Sequence, residues 1–263
     1  MSFFNDKVIV ITGGSDGIGR ALIDALIPLG AKIATCARNY DKLYNLQLEY
    51  PNILLHTMAC DVSNENDCKR FIVSTIEVFG HIDILVNNAG IQNDAPIDKM
   101  TLEQWDAVIG TNLTGQFLCA REAIREFKRR GVVEAVSASA GKIIFMSSVH
   151  EVIPWGGRVN YAASKGGIML LMKSIAQEVA SLKIRANSIC PGAIRTPLNR
   201  SAWEEREAYH ELMTLIPYRR IGEPNEIGRL AVFLASDYAD YIMGASIFVD
   251  GGMTLYPGFE TGG

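Results

Sequence analysis

Tyr161 stands four residues before Lys165, and Ser148 stands thirteen residues before the tyrosine. In a helix of about 3.6 residues per turn, positions four apart share a face. A phenol and an ammonium would then lie side by side. A free phenol titrates near ~10 and is a poor acid–base group at neutral pH. A close positive charge favours the phenolate and draws that pKa toward the working range. The chemistry expected of these residues is proton transfer to or from an alcohol or carbonyl oxygen. Tyr-x-x-x-Lys is a common spacing by itself, so its meaning depends on the elements that hold it.

Those elements alternate. Short β-branched apolar runs predict strands over Val8–Ile11, Lys32–Cys36, Ile53–Ala59, Ile82–Val86, Lys142–Met146, Ile184–Ile189 and Ala245–Val249. Helical patterns fall between them, near 18–29, 40–49, 64–79, 102–130, 159–181 and 224–235. The strands are apolar on both faces, as where helices cover both sides of a parallel sheet. No composition shift or linker divides residues 1–263, so one doubly wound α/β domain is expected. Residues 131–141 are small and weakly patterned, and are expected to form a surface loop. Residues 193–222 carry proline-bounded turns and then a short helix over Ser201–Leu215. An excursion after a strand's C-terminal end overhangs the crevice of an open α/β sheet, which makes this segment a candidate lid.

Composition narrows the class. The chain has 263 residues, 48% hydrophobic and 21% charged, enough for a large single core. A net charge of −4 offers no general electrostatic grip on nucleic acid. Five scattered cysteines without a CxxC read as reduced thiols, not as a disulfide frame or metal site. No apolar run approaches the ~18 residues needed to span a bilayer, and the first residues lack a signal-peptide pattern. A cytoplasmic protein with no membrane or nucleic-acid partner is expected.

Between the first strand and first helix lies Thr12-Gly13-Gly14-Ser15-Asp16-Gly17-Ile18-Gly19. Glycines permit a tight turn and let backbone approach a pyrophosphate, while the helix N-terminus offers unpaired N–H groups. That position makes a dinucleotide the expected ligand. The end of the second strand selects between cofactors: an acid binds the ribose hydroxyls of NAD, an arginine the 2′-phosphate of NADP. The run Thr35-Cys36-Ala37-Arg38-Asn39 has an arginine and no acid. Asp16, on the phosphate side, would repel an extra phosphate. Arg38 makes NADP(H) the expected cofactor, and Asp16 leaves NAD(H) tolerated. Asp61-Val62 follows the third strand, where a carboxylate can accept from the adenine amino group or make a turn. Asn88-Ala89-Gly90 follows the fourth, where small residues let backbone run close to a ribose.

Together these residues resemble the short-chain dehydrogenase/reductase family over nearly the whole chain. The resemblance rests on the glycine loop, Asn87-Asn88-Ala89-Gly90, Asn112, Ser148, Tyr161-x-x-x-Lys165 and Pro191-Gly192. It implies a Rossmann-type sheet of about seven strands and hydride transfer with a nicotinamide cofactor. By position, Tyr161 is implied as general acid/base and Ser148 as the hydroxyl holding the substrate oxygen. Lys165 is implied to lower the tyrosine pKa and bind the nicotinamide ribose. Asn112 would support a water chain to that lysine. Thr196 and the Ile194 backbone are implied as carboxamide anchors.

Met146-Ser-Ser-Val-His-Glu-x-Ile-Pro-Trp155 and the stretch from Asp250 to Phe259 resemble the bacterial glucose 1-dehydrogenase subgroup. That likeness implies a small-molecule sugar substrate and a homotetramer, with the tail 253–263 at subunit contacts. A ketone or 3-oxoacyl thioester reductase is the alternative. The loop 131–141 and Gln92, where the subgroup often has glutamate, depart from the pattern. A sugar site needs several placed polar groups. His150, Gln92, Glu151, Asn93 and Asn199 are the candidates, with His150 foremost because it shares a loop with Ser148. Phe117, Leu118, Ile168, Leu171 and Met172 widen the apolar faces of two long helices, which suggests an interface between subunits.

Overall fold

The computed structural model describes residues 4–50 and 54–255. Seven parallel strands form one sheet among these residues: β1 Val8–Thr12, β2 Lys32–Ala37, β3 Leu55–Ala59, β4 Ile84–Asn87, β5 Gly141–Met146, β6 Ile184–Pro191 and β7 Ser246–Val249. Their order is β3-β2-β1-β4-β5-β6-β7. The order reverses between β1 and β4, and a crevice opens there at the strands' C-terminal ends.

The helices are α1 Gly17–Leu26, α2 Tyr40–Glu49, α3 Glu65–Phe79, α4 Leu102–Ile109, α5 Gly115–Arg130, α6 Val159–Val179, α7 Ser201–Glu204, α8 Arg206–Thr214 and α9 Pro224–Ala235. Local chemistry sets many of their ends. Asn39 caps α2 by accepting from Lys42 N at 2.9 Å, and Asn64 caps α3 through Asn66 and Asp67. Thr101 and Gln104 form a reciprocal capping box on α4. Gly80 ends α3 at φ 86°, the left-handed conformation that glycine adopts without a Cβ clash.

Two apolar layers sandwich the sheet. One joins Val10, Leu85 and Phe145 to Phe71, Phe127, Ile168 and Met172 of α3, α5 and α6. The other joins Ile9, Val86 and Ile144 to Leu22, Leu26, Ile227 and Leu234 of α1 and α9. Strands β1, β4, β5 and β6 are buried at every position, the result of covering both faces.

Three expectations change. The long helix over 102–130 contains a π-helical turn, Gly110–Thr114, between α4 and α5, and that turn carries Asn112. The helix over Ser201–Leu215 breaks at Glu205, whose extended backbone separates α7 from α8. Leu118, Ile168 and Met172, read as an outer apolar face, each lie in the core of the chain itself, whereas Phe117 is 43% exposed. Their breadth of apolar surface is used between sheet and helices. Ile53 of the third predicted strand and residues 256–263 of the tail lie outside the described residues. Among the described residues, no helix is long and apolar enough to cross a membrane.

Candidate active site

A cavity of about 1160 Å³ runs along the C-terminal ends of the strands. One end meets Arg38 and Asp61, the other Ser148, His150 and Tyr161. Residues 13 and 15–18 of the glycine loop form its floor, and Asn88, Ala89 and Gly90 face them. This approach requires glycine. Gly13 has φ +70°, and a Cβ there would lie 2.9 Å from the Ala89 Cα. A Cβ on Gly19 would lie 2.2 Å from the Gly13 carbonyl oxygen. Gly19 therefore packs the loop against its helix and does not line the cavity.

Thr12 and Asn88 tie β1 to β4 beneath the loop. The Thr12 hydroxyl accepts from the Asn88 and Ala89 N–H groups, both at 3.0 Å. The Asn88 amide donates to the Thr12 and Gly13 carbonyls at 2.9 and 3.1 Å. Asp16 caps α1 through Gly17 N at 2.8 Å, while the first-turn N–H groups beyond it lack intrahelical partners. The size of the cavity, the glycine approach and this helix terminus fit a dinucleotide.

At the far end, Asp61 makes the turn expected of it. Its Oδ1 accepts from the Ser63 N–H and hydroxyl at 2.9 and 2.7 Å, closing a turn. Asp61 also lines the cavity, as does Val62. Arg38 is exposed just past β2 and lines the cavity beside Lys42. The Lys42 ammonium lies 2.6 Å from Asp16 Oδ2. Burial raises the Asp16 pKa, but hydrogen bonds from Lys42 and Gly17 and the charges of Lys42 and Arg200 outweigh it, leaving the carboxyl below its ordinary value. The sequence reading missed Lys42. Its signal was its position three residues after the α2 cap, one turn from Arg38.

At the reacting end, Ser148 leaves β5 and Tyr161 enters on the first turn of α6. The Ser148 hydroxyl accepts from His150 N at 3.2 Å and lies near enough to the Tyr161 phenol to lower its pKa. The Lys165 ammonium donates to the Met146 carbonyl at 2.8 Å and sits 5.4 Å from the centre of the Tyr161 ring. Burial is the largest influence and pushes Tyr161 up to about 12; the Ser148 hydrogen bond opposes it and the Asp94 charge adds to it. Burial also brings Lys165 down to about 8, against the raising fields of Cys190 and Glu151. The cation lies off the ring and is held by a carbonyl, while both groups are desolvated.

Asn112 is fully buried in the π-turn and does not line the cavity. Its Oδ1 accepts from Ile91 N at 2.8 Å, and its Nδ2 donates to Ile91 O at 3.0 Å and Ser164 Oγ at 3.2 Å. It thus pins the loop after Gly90 to α6. Pro191, Gly192, Ile194 and Thr196 line the cavity wall, with the Thr196 side chain near Gly17. Leu198, Ala202, Leu212 and Leu215 overhang it from the segment expected as a lid.

The polar candidates divide. His150 and Gln92 line the cavity. Glu151 does not: its carboxylate is buried without a hydrogen-bond partner among the described residues. Asn93 is turned away and accepts from Gln104 Nε2 at 3.2 Å. Asn199 borders the cavity, but its Oδ1 already accepts from Thr196 and from the Trp203 indole. Missed in the sequence was an aromatic group. His150 and Trp155 stack at 4.1 Å and 15°, and both stand edge-on to Tyr161.

Comparison with known proteins agrees with this geometry. A family model described as enoyl-(acyl carrier protein) reductase matches residues 13–254. A glucose 1-dehydrogenase from Gluconobacter oxydans is 38% identical over 260 residues, 98% of this chain and 95% of that one. A 3beta-hydroxysteroid dehydrogenase 1 from Eggerthella lenta is 39% identical over 259 residues, covering 97% of each. The crystal structure of levodione reductase superposes with a TM-score of 0.88 at 32% identity, covering 96% of this chain and all of that one.

Proposed function

This chain belongs to the short-chain dehydrogenase/reductase family, and we propose that its single domain, residues 1–263, oxidises a hydroxyl-bearing carbon of a sugar or reduces the corresponding carbonyl. It is a nicotinamide-dependent oxidoreductase of CH–OH groups. The observation that carries the assignment is the convergence of Ser148, Tyr161 and Lys165 on the cavity that holds the glycine loop. A bound nicotinamide supplies the hydride chemistry, and the protein supplies position and a proton.

In oxidation, the Tyr161 phenolate takes the proton of the substrate hydroxyl; in reduction, the phenol returns it to the carbonyl oxygen. Ser148 holds that oxygen. Lys165 spends one N–H on Met146 O and has two left, enough for a ribose hydroxyl and a water. Asn112 keeps the loop after Gly90 in register with α6. Ile194 and Thr196 hold the nicotinamide carboxamide. Gly13, Ser15, Gly17 and Ile18 cradle the pyrophosphate, Asp61 and Val62 the adenine, and Asn88, Ala89 and Gly90 a ribose, with Pro191 and Gly192 along the wall.

NADP(H) is the preferred cofactor, because Arg38 and Lys42 place two cations at the ribose end and the Asp16 charge is compensated by Lys42. NAD(H) is accepted through the same cradle. His150 and Gln92 favour a hydroxylated substrate. A second reading, a ketone or 3-oxoacyl thioester reductase, is favoured by the apolar outer wall of Leu212, Leu215, Pro217, Met253 and Leu255. A homotetramer in the cytoplasm completes the proposal.

Tyr161→Phe tests the chemistry. Turnover should fall about 10²–10⁴-fold, with cofactor affinity changed less than about twofold. Full activity in that variant would sink the assignment. A panel of aldoses, polyols and hydrophobic ketones separates the two substrate readings.

A further inference from the structure

A column of four side chains starts at the reacting end of the cavity, which His150 and Trp155 line, and runs back through Arg158 to Asp94. Asp94 Oδ2 lies 2.9 Å from Arg158 Nε, an ion pair whose N–H is not aligned on the oxygen. The Arg158 guanidinium sits 4.1 Å above the Trp155 ring. Trp155 in turn stacks on His150 at 4.1 Å and 15°. The turn from Trp155 to Arg158 brings the cation back over the indole: Arg158 N donates to Trp155 O at 3.2 Å, and Gly157 takes φ +76°. A second tie joins the Asn93–Asp94 loop to the first turn of α6, since Asn160 Nδ2 donates to Asn93 O at 2.9 Å.

The column ends on a defined tautomer. His150 Nδ1 lies 3.1 Å from the Ile153 carbonyl, which can only accept, so Nδ1 carries the proton. Nε2 then presents a lone pair, has no partner among the described residues, and belongs to a ring that lines the cavity beside Tyr161. A substrate hydroxyl can donate to Nε2 while its neighbour meets Ser148 and Tyr161.

We propose that Asp94, Arg158 and Trp155 are positioning residues that hold His150 as a hydrogen-bond acceptor, so that the enzyme selects alcohols bearing a second hydroxyl beside the reacting carbon. This rests on the oxidoreductase reading above and deepens it by naming a substrate class. The charge state agrees. Burial is the main cause that lowers the His150 pKa; the Ile153 bond opposes it and the Arg158 charge adds to it. The other titratable groups of these packed elements are Tyr161, edge-on to the ring, and Lys165 of α6, Asp94 paired with Arg158, and Glu151 on the same turn. Removing the Arg158 charge raises the pH at which His150 gains its second proton and stops accepting.

The test compares trans-cyclohexane-1,2-diol with cyclohexanol as substrates of the wild type, Arg158→Gln, Arg158→Lys, His150→Ala and the Arg158→Gln/His150→Ala double variant. The wild type should prefer the diol in kcat/KM. Arg158→Gln should raise KM for the diol about 3- to 10-fold, the worth of one hydrogen bond, with kcat within about twofold. Cyclohexanol kinetics should change much less, by the uncovered Asp94 charge acting on Tyr161 alone. The acid limb of the diol profile should move to higher pH, and Arg158→Lys should return the limb toward the wild type. In the double variant, Arg158→Gln should add nothing to His150→Ala. Equal effects on both alcohols, a fixed acid limb, or additive effects would overturn the positioning role. A wild type that oxidises cyclohexanol as well as the diol would overturn the substrate class alone. Turnover of neither alcohol nor any member of the wider panel would overturn the oxidoreductase reading itself.

Discussion

Replacing Asp16 with asparagine isolates one charge in the proposed cofactor site. Asn and Asp are comparable helix caps, so the bond to Gly17 N and the start of α1 survive the change. What changes is the balance among Arg38, Lys42 and Asp16, which line the same end of the cavity. The Asp16 carboxyl is held below its ordinary pKa and is ionised at neutral pH. The triad therefore carries one net positive charge in the wild type and two in Asp16→Asn. A 2′-phosphate with a charge near −2 at about 8 Å, in an effective dielectric of about 40–80, gains roughly 1–2 kcal/mol from losing that carboxylate. This is roughly a 5- to 30-fold gain in NADP over NAD at low ionic strength. The Asp16–Lys42 pair is about half exposed, and the screening length of about 8 Å near 0.15 M salt reduces the gain to a few-fold. The assay is the ratio of kcat/KM for NADP to that for NAD, measured at both salt concentrations. Lys42→Ala should move the ratio the other way, because it removes a cation and uncovers the carboxylate. An unchanged ratio in Asp16→Asn, or a shift toward NAD, would refute the electrostatic argument.

Other outcomes follow from the same geometry. With Tyr161 pushed up to about 12, the phenolate is scarce at neutral pH, so kcat/KM for oxidation should rise with pH between about 6 and 8. Above that range Lys165, brought down to about 8, begins to lose its charge; a flat profile below it would exclude Tyr161 as the base. Gly13→Ala should weaken cofactor binding and destabilise the fold by about 2–3 kcal/mol, because a left-handed φ combines with a 2.9 Å approach to Ala89. Gly80→Ala, also left-handed but open on all sides, should cost only about 1 kcal/mol; equal costs in urea unfolding would refute the steric account. Burial raises the Asp83 pKa, yet hydrogen bonds from His81, Arg130 and Val8 N overcome it and bring the group to about 2. Its contribution of about 2 kcal/mol is present above pH ~4 and lost as pH falls through ~2, so wild type and Asp83→Asn should converge in stability on acidification. Parallel curves would count against it.

Much of the fold was legible because its signals are local. Each strand is a short β-branched run and each helix a periodic stretch, so the predicted elements match the seven-stranded sheet to within a few residues. The interruptions were less visible. A π-turn at Gly110–Thr114 carries the same apolar spacing as a helix, and the break at Glu205 has no proline or glycine to mark it. Leu118, Ile168 and Met172 read as an outer face because a helix wedged against a two-sided sheet needs a wider apolar surface than one stripe.

The site divides in the same way. Sequence by itself determined the glycine loop, the order of the strand-end motifs and the identities of Ser148, Tyr161 and Lys165, since these depend on residue type and short spacing. Only the tertiary structure decided which neighbouring polar groups face the cavity. His150 lines it, while Glu151, the next residue, is buried away from it. Only folding brought Lys42 to Asp16, Asp94 to Arg158 and the indole of Trp155 onto His150. Folding also set the proton affinities, raising Tyr161 and lowering Lys165 against the simple charge argument. The physical reason is that spacing along a chain encodes a helix or strand face. Desolvation and charge pairing arise from what other elements pack against that face, and no local pattern records that.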